Sequence, residues 1–380
     1  LRHTYEKPIA DGCNTCGRRE AFLILIETDT GITGIGEAAT FGLPLAAFRE
    51  VLDHHIAPLL LGENPLSIEY LWEKLLWNGY AGGRKGIVRG VASGVDIALW
   101  DIMGKVCNMP LFRILGANNT SVNAYASAGF YGDGKTVDDL KYEMEQLQKQ
   151  GYQAFKMKVG RAGENEQRML RYMSKAVAVG SLQQDMERVS GVRQMIGKDT
   201  CLMLDMNNTW GFDTVLEMTG FLNEMNIYSI EEPICGDDDR GYERLAGKLN
   251  RVMISGGENE QGLDRYRHLI ETGALDMIQA NIGWSGGITE VRNIAALCKA
   301  HHKMFAPHSF FSAVLIAANI QLSASLSNAA FIESEENANP LRTELLKTPF
   351  ERGCNMEYLL PEKPGLGIEL NWDTVEKYHI

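Results

Sequence analysis

From residue 121 onward, short apolar runs recur down the chain at intervals that fit alternating strands and helices. Candidate strands fall at 121–127, 154–159, 201–206, 227–231, 251–255, 275–281, 303–307 and 329–333, each followed by a helix-like interval. Eight strand–helix units in succession are the count that closes a (β/α)8 barrel. Most strand-to-strand steps are about 24–33 residues, but the second to third is near 47. Residues 161–180 therefore read as an insertion ahead of a helix capped around Ser181. An insertion after a strand's C-terminal end lies on the face where barrels carry their chemistry, where it would cover substrate; a surface decoration is the alternative.

Ahead of the barrel, residues 20–38 read as two β segments around Asp29-Thr30-Gly31, with glycine supplying the turn. From about 46 to 116 the pattern is helical and ends in an amphipathic stretch from Gly90 to Lys105. After about Leu345 the Pro- and Gly-containing tail has no barrel period and is expected to fold back on the N-terminal region. The predicted division is an α+β capping domain (1–118), a β/α barrel (119–345) and a tail completing the cap (346–380). With 380 residues, 45% hydrophobic and 23% charged, the chain is an ordinary globular protein with ample core for a barrel plus one smaller domain.

A formal charge of −12 and a pI near 5.3 argue against a nucleic-acid or membrane-surface partner, since both need clustered Lys and Arg. No stretch approaches the roughly 18 apolar residues of a membrane span. An anionic substrate would need a cation or a lysine cluster at its site. Seven cysteines, an odd number in a large chain, fit a reducing cytoplasm better than a disulfide framework. The chain opens at Leu1 without an initiator Met, which leaves a removed leader open. Cys13-Asn14-Thr15-Cys16 is a CxxC, but no second ligand pair has zinc spacing and no strand–helix context surrounds it. It is read as two unlinked thiols in a loop.

Chemistry-bearing residues lie in five stretches: 154–160, 202–208, 230–233, 256–259 and 306–309. Four are apolar runs that turn polar at their C-terminal ends and the fifth follows one, which is how catalytic residues sit in a barrel. Strand alternation sends Lys156 and Lys158 to one side, and likewise Asp205 and Asn207. One lysine beside another has its charged form disfavoured, which would lower a pKa of about 10.4 toward the range of a general base. Two solvated lysines at a strand end are the bland alternative. Asp205, Glu231 and Glu258 end three successive strands about 4.8 Å apart, so they would repel one another unless a cation sat between them. An all-oxygen donor set favours Mg²⁺, or Mn²⁺, over Zn²⁺. Glu232 is the alternative on the fourth strand, expected on the side opposite Glu231.

Taken together, Lys156-Met157-Lys158, Asp205-Met206-Asn207, Glu231-Glu232-Pro233, Gly257-Glu258-Asn259 and Pro307-His308 resemble the enolase superfamily, in its mandelate racemase and muconate lactonizing enzyme group. The likeness extends to residues 94–101, 286–289 and 364–367, and so over nearly the whole chain. It implies Mg²⁺ on Asp205, Glu231 and Glu258, and a first step that removes the proton α to a carboxylate to give a metal-stabilised enediolate. The handling of such sites by a Lys or His base with Mg²⁺ is general to that superfamily. By the same resemblance Lys158 is the base on one face and Lys156 holds the substrate carboxylate. His308 approaches the other face, and Glu333 is an acid that hydrogen-bonds the intermediate. Asn207 and Asn281 are assigned to substrate contact.

One departure bears on the reaction. Where mandelate racemase-like members carry Gln-Pro-Asp, this chain has Gln279-Ala280-Asn281, so Asn281 replaces the aspartate that partners the histidine. Asp276 belongs near the bottom of the sixth strand and is no substitute. Without a carboxylate partner a histidine reverts toward about 6.5 and is mostly neutral at pH 7. Nor is there a sixth-strand lysine. The expected activity is therefore a Mg²⁺-dependent dehydratase acting on a sugar acid, an aldonate or aldarate. A racemase, epimerase or sugar-acid lactone cycloisomerase comes second, and a non-catalytic acid-sugar-binding barrel third. The expected partner is a small carboxylate substrate, with a homo-oligomer in the cytoplasm and specificity set by the loops near 1–20 and 38–50.

Overall fold

The computed structural model describes residues 1–380 apart from 80, 83, 118 and 162–179. The insertion expected at 161–180 thus lies almost wholly outside the described residues. All eight expected barrel strands form: Ala124–Ala128, Ala154–Lys158, Cys201–Asp205, Ser229–Glu231, Met253–Gly256, Met277–Ile278, Met304–Phe305 and Ile332–Glu335. They are parallel and ordered first to seventh around the sheet, with the eighth beside the first. Closure comes at Phe305, whose N–H donates to Asn328 O (3.0 Å) and whose carbonyl accepts from Ala330 N–H (2.8 Å). The eighth strand starts later than expected because residues 328–330 make only this short seam. Likewise Ser121–Val122 leaves the barrel to pair antiparallel with Tyr358–Leu359 of the tail.

Period-two alternation divides each strand between two cores. Phe155, Met157, Leu202, Leu204, Ile230, Ile254 and Ile278 face outward into the layer shared with the helices. Tyr125, Ala154, Met203, Met277 and Ala306 fill the barrel interior. Above that interior plug lie the buried polar residues of the strand ends. Thr136 and Ser181 open the helices Val137–Gln150 and Leu182–Ile196 with capping boxes, the second at the position predicted for it.

The first twenty residues are not irregular. Arg2–Ala10 and Thr15–Glu20 form an antiparallel pair, and Ile9 and Ala10 also pair with Gly132 and Tyr131 beyond the first barrel strand. The expected hairpin follows, Phe22–Glu27 with Thr33–Ala38. Helix Ile87–Val106 lies directly on it: a Cβ on Gly36 would sit 1.9 Å from Gly94 O, so both positions need glycine. That helix is buried around nearly its whole circumference rather than amphipathic, because the hairpin covers one side and barrel helix Gly287–Ala300 another. The tail closes over its end, with Leu366 N–H donating to Asp101 Oδ1 (2.8 Å) and Leu111 N–H to Gly365 O (2.9 Å).

Two buried cap carboxylates clasp the barrel by its helix N-termini. Glu37 accepts from Ser312 N–H (3.1 Å), Ser312 Oγ (2.6 Å) and Leu315 N–H (2.9 Å) at the start of Ala313–Ser323. Asp96 accepts from Thr289 N–H (3.0 Å) and Thr289 Oγ1 (2.6 Å) at the start of Gly287–Ala300. Free N–H groups and the helix dipole make these ends good carboxylate seats, yet burial pushes each carboxyl up to about 7. A Glu37→Gln variant places an NH2 against at least one of those donors and is expected to lose about 1–3 kcal/mol of unfolding free energy at pH 5. Because the folded-state pKa of Glu37 lies above its unfolded value, its contribution is complete below about 4.5 and is lost as pH rises through about 7. Urea denaturation at several pH values should therefore show the deficit narrowing between pH 5 and 8.

Candidate active site

Pairing register places the chemistry in one row around the barrel mouth. Lys158 is opposite Asp205, Asp205 opposite Glu231, and Glu231 opposite Ser255. One residue pair deeper, Lys156 projects to the same interior. Its ammonium lies 2.8 and 2.9 Å from the two Glu231 oxygens, 2.9 Å from Glu333 Oε1 and 3.8 Å from Asp205 Oδ2. Lys158 donates to Asp205 Oδ2, and the rings of Phe130 and Phe310 flank its ammonium. These lysines are buried, not solvated.

Their ionisation runs opposite to the sequence expectation. Burial works to lower both lysine pKa values, but the carboxylates raise them by more, so Lys156 and Lys158 both end above the usual lysine range. For Lys158, Asp205 outweighs the repulsion from Lys156. Along the chain the lysines are each other's neighbours, whereas across the barrel their closest partners are acids.

The acids are strained in turn. Burial, then repulsion from Asp205, pushes Glu231 up to about 8 and Glu258 up to about 7, and Glu232 lies well above the carboxylate range. Alternation stops at Glu231, because Glu232 takes a left-handed backbone (φ 41°). Its carboxylate accepts from Asn208 Nδ2 (2.6 Å) and Asn259 Nδ2 (3.0 Å) beside the cluster instead of on the far side. Among the described residues no three His, Cys, Asp or Glu side chains stand close enough to hold an ion as they are. The Lys156 ammonium bridges Glu231 and Glu333 in the present arrangement. The donor set nevertheless suits a hard cation: Asp205, Glu231 and Glu258 offer only oxygens, and added positive charge would relieve their mutual repulsion. Among the described residues Asn207, at φ 45°, keeps a buried Oδ1 without a donor while its N–H and Nδ2 turn back to Asp205.

Across the mouth, Asn281 and His308 face each other in register beyond the sixth and seventh strands. Asn281 Oδ1 accepts the Gly283 N–H (2.9 Å), which turns its Nδ2 toward His308 Nδ1 at 2.8 Å. Nδ1 is therefore an acceptor, and the imidazole proton resides on Nε2. Nε2 points at Glu258 Oε2 (3.3 Å) and Glu333 Oε2 (3.7 Å). Burial holds the His308 pKa below its ordinary value despite the charges of Glu333 and Glu231. So Asn281 sets the histidine tautomer, a role sequence reasoning did not give it. Glu333 also accepts from Ser309 N–H (3.0 Å), and the adjoining cations hold it well below the usual carboxylate range against the effect of burial. Asp276 sits at the other end of the sixth strand, where it accepts from Ile254 N–H (3.0 Å).

Several contributors carried no periodic signal. Gln279 Nε2 donates to Glu231 Oε2 and fixes that carboxylate. Phe41, from the cap, stacks on His308 (5.9 Å between ring centres, 17° between planes) with a strained φ of 46°. Residues Asp11 to Asn14 cap the mouth: a Cβ on Gly12 would meet Met206 O at 2.5 Å, and Asp11 feels the charges of Lys158 and Asp205. Arg161 anchors this loop through Asp11 O (2.9 Å). Cys13 and Cys16 are free thiols, with Cys13 in the loop and Cys16 in the strand that leaves it.

Comparison with known proteins places these features in a family. Residues 2–116 match the mandelate racemase / muconate lactonizing enzyme N-terminal domain, and residues 139–374 match the enolase C-terminal domain-like model. An arabinonate dehydratase from Saccharolobus solfataricus is 32% identical over 93% of this chain and 89% of its own length. A D-galactarolactone cycloisomerase from Agrobacterium fabrum is 29% identical over 100% and 97%. The solved structure of a racemase from Streptomyces coelicolor with bound magnesium superposes with a TM-score of 0.86 at 26% identity, covering 100% of this chain and 97% of that one. The chain is thus an enzyme of the enolase superfamily, in its mandelate racemase and muconate lactonizing enzyme group.

Proposed function

We propose that this enzyme is a Mg²⁺-dependent sugar-acid dehydratase that works with one base. The observation that carries the reading is the convergence of Lys158 and His308 on a carboxylate cluster, with the histidine proton committed to Nε2. Magnesium at Asp205, Glu231 and Glu258 would supply Lewis-acid stabilisation of charge developing on the substrate carboxylate. Lys156 binds that carboxylate. With Asp205 turned to a cation, Lys158 would lose the partner that raises its pKa, give its extra proton to solvent, and take the α-proton as the neutral amine, its Nζ flanked by Phe130 and Phe310. The resulting enediolate expels the β-hydroxyl, which receives its proton from His308 Nε2–H, the imidazole being replenished from solvent. Glu333 orients that donor.

The Asn281–His308 hydrogen bond also favours a second reading, lactone cycloisomerisation. A neutral imidazole is a weak acid, and β-elimination from a lactone expels a carboxylate, which needs far less protonation than hydroxide. The relatives named above include both a dehydratase and a cycloisomerase.

Incubation with Mg²⁺ and a panel of aldonates, aldarates and their lactones in D2O, followed by NMR, tests the proposal. Keto-acid formation from an open-chain acid supports dehydration, and a ring-opened isomer formed only from a lactone supports the second reading. Absence of both product formation and α-deuteration across the panel would refute both. An Asn281→Asp variant should accept the His308 Nδ1 proton, free the Nε2 lone pair and raise imidazole basicity. Epimerised substrate is then expected to appear, where the unaltered enzyme should form none.

A further inference from the structure

Beside Phe310, the cap and the eighth strand bring together Arg19, Tyr5 and Glu335, each of which keeps one buried polar atom unpaired among the described residues. Arg19 is 5% exposed, its guanidinium centred 4.0 Å above the Phe310 ring and 5.4 Å from that of Tyr5. It uses Nη1 on Cys16 Sγ and Nη2 on Glu335 Oε1 at 3.3 Å, a long contact for a charged pair. Among the described residues its buried Nε–H has no acceptor, and neither has the buried Tyr5 hydroxyl a partner. Glu335 does not depend on Arg19, since Oε1 also accepts from Asn337 N–H (3.1 Å) and Nδ2 (2.6 Å), and among the described residues its Oε2 has no donor. A buried unmade hydrogen bond costs about 1–3 kcal/mol, more for a charged group. Two such donors and one acceptor side by side describe a seat for a missing polar ligand.

The seat is in reach of the reacting centre. Lys158 Nζ lies 5.9 Å from the centre of the same Phe310 ring, so it and Arg19 are separated by no more than the sum of the two ring distances. Terminal carbons of an extended six-carbon acid are roughly 6 Å apart, given C–C bonds of about 1.5 Å. Arginine donates only, and its planar fork matches a carboxylate in two-point contact. Resting on the sugar-acid reading above, we infer that Arg19 and Tyr5 bind the distal carboxylate of a hexarate, a six-carbon sugar diacid, and Glu335 Oε2 a neighbouring hydroxyl. The enzyme then selects diacids over the hexonates that end in CH2OH.

Calorimetric titration of the full chain with Mg²⁺ tests this on matched pairs: galactarate with galactonate, glucarate with gluconate, mannarate with mannonate. At least one hexarate is expected to bind about tenfold or more tighter than its hexonate, and Arg19→Gln to bring that ratio near one. Tyr5→Phe, which leaves the Arg19–Glu335 pair intact, should lower the ratio a few-fold. A merely structural Arg19 would weaken both acids alike. Equal loss for both, hexonates binding as tightly as hexarates, or no binding by any acid would overturn the inference. Turnover is scored separately. A hexarate held through Arg19 but neither dehydrated nor exchanged at its α-carbon refutes the dehydratase reading while the subsite stands.

Discussion

Lys158→Ala is expected to abolish exchange of the substrate α-hydrogen with solvent, slowing it by about 10²–10⁴-fold or more. Lys158 is the side chain in the barrel row that combines a transferable proton site with a flank of phenyl rings. Its removal leaves Asp205 one fewer cation, but Asp205 retains the Asn207 N–H (2.9 Å) and Lys156 at 3.8 Å, so the fold should survive. Circular dichroism checks that, and proton NMR in D2O reads the exchange. Lys156 is a poorer control, since without it Glu231 and Glu333 lose their shared buried counter-charge. Persistence of exchange in the Lys158 variant would assign the base elsewhere.

Chelation should have a comparable effect. Removing divalent ions with EDTA is expected to lower turnover by about a hundredfold or more, since stabilisation of the developing oxyanion is the larger part of the catalysis. Added Mg²⁺ should restore it and should also raise the unfolding temperature, because a ligand that binds only the folded state stabilises it by mass action. The source of that stabilisation is visible in the acids: burial and mutual repulsion have lifted Glu231 to about 8 and Glu258 to about 7. Asp205→Asn should remove both responses. Full activity in EDTA would contradict the assignment of these acids to a cation.

What could be read from the sequence was set by periodicity. Lys156, Lys158, Asp205 and Glu231 lie on strands whose alternation fixes which side chains face inward, so their convergence followed once the barrel was recognised. The sign of the lysine pKa shift did not follow, because the acids that decide it lie across the sheet and not along the chain. Helix Ile87–Val106 looked one-sided because its pattern cannot reveal a second covering layer. Arg2–Ala10 was missed as a strand because its charged side chains and Pro8 mask the alternation. The cap contributions of Asp11, Arg19 and Phe41 come from loops and an edge strand, where no repeat places a side chain. Asn281 was legible as a substitution, but its effect on His308 depends on Gly283 N–H, a backbone donor that sequence does not show.

Stereochemistry tests most directly whether the enzyme works with a single base. Substrate recovered after prolonged incubation with enzyme and Mg²⁺ in D2O should carry α-deuterium only with its original configuration, with no epimer, because His308 offers a proton at Nε2 and no lone pair. Accumulation of the deuterated epimer would show a second competent base on the opposite face and contradict the tautomer that Asn281 imposes.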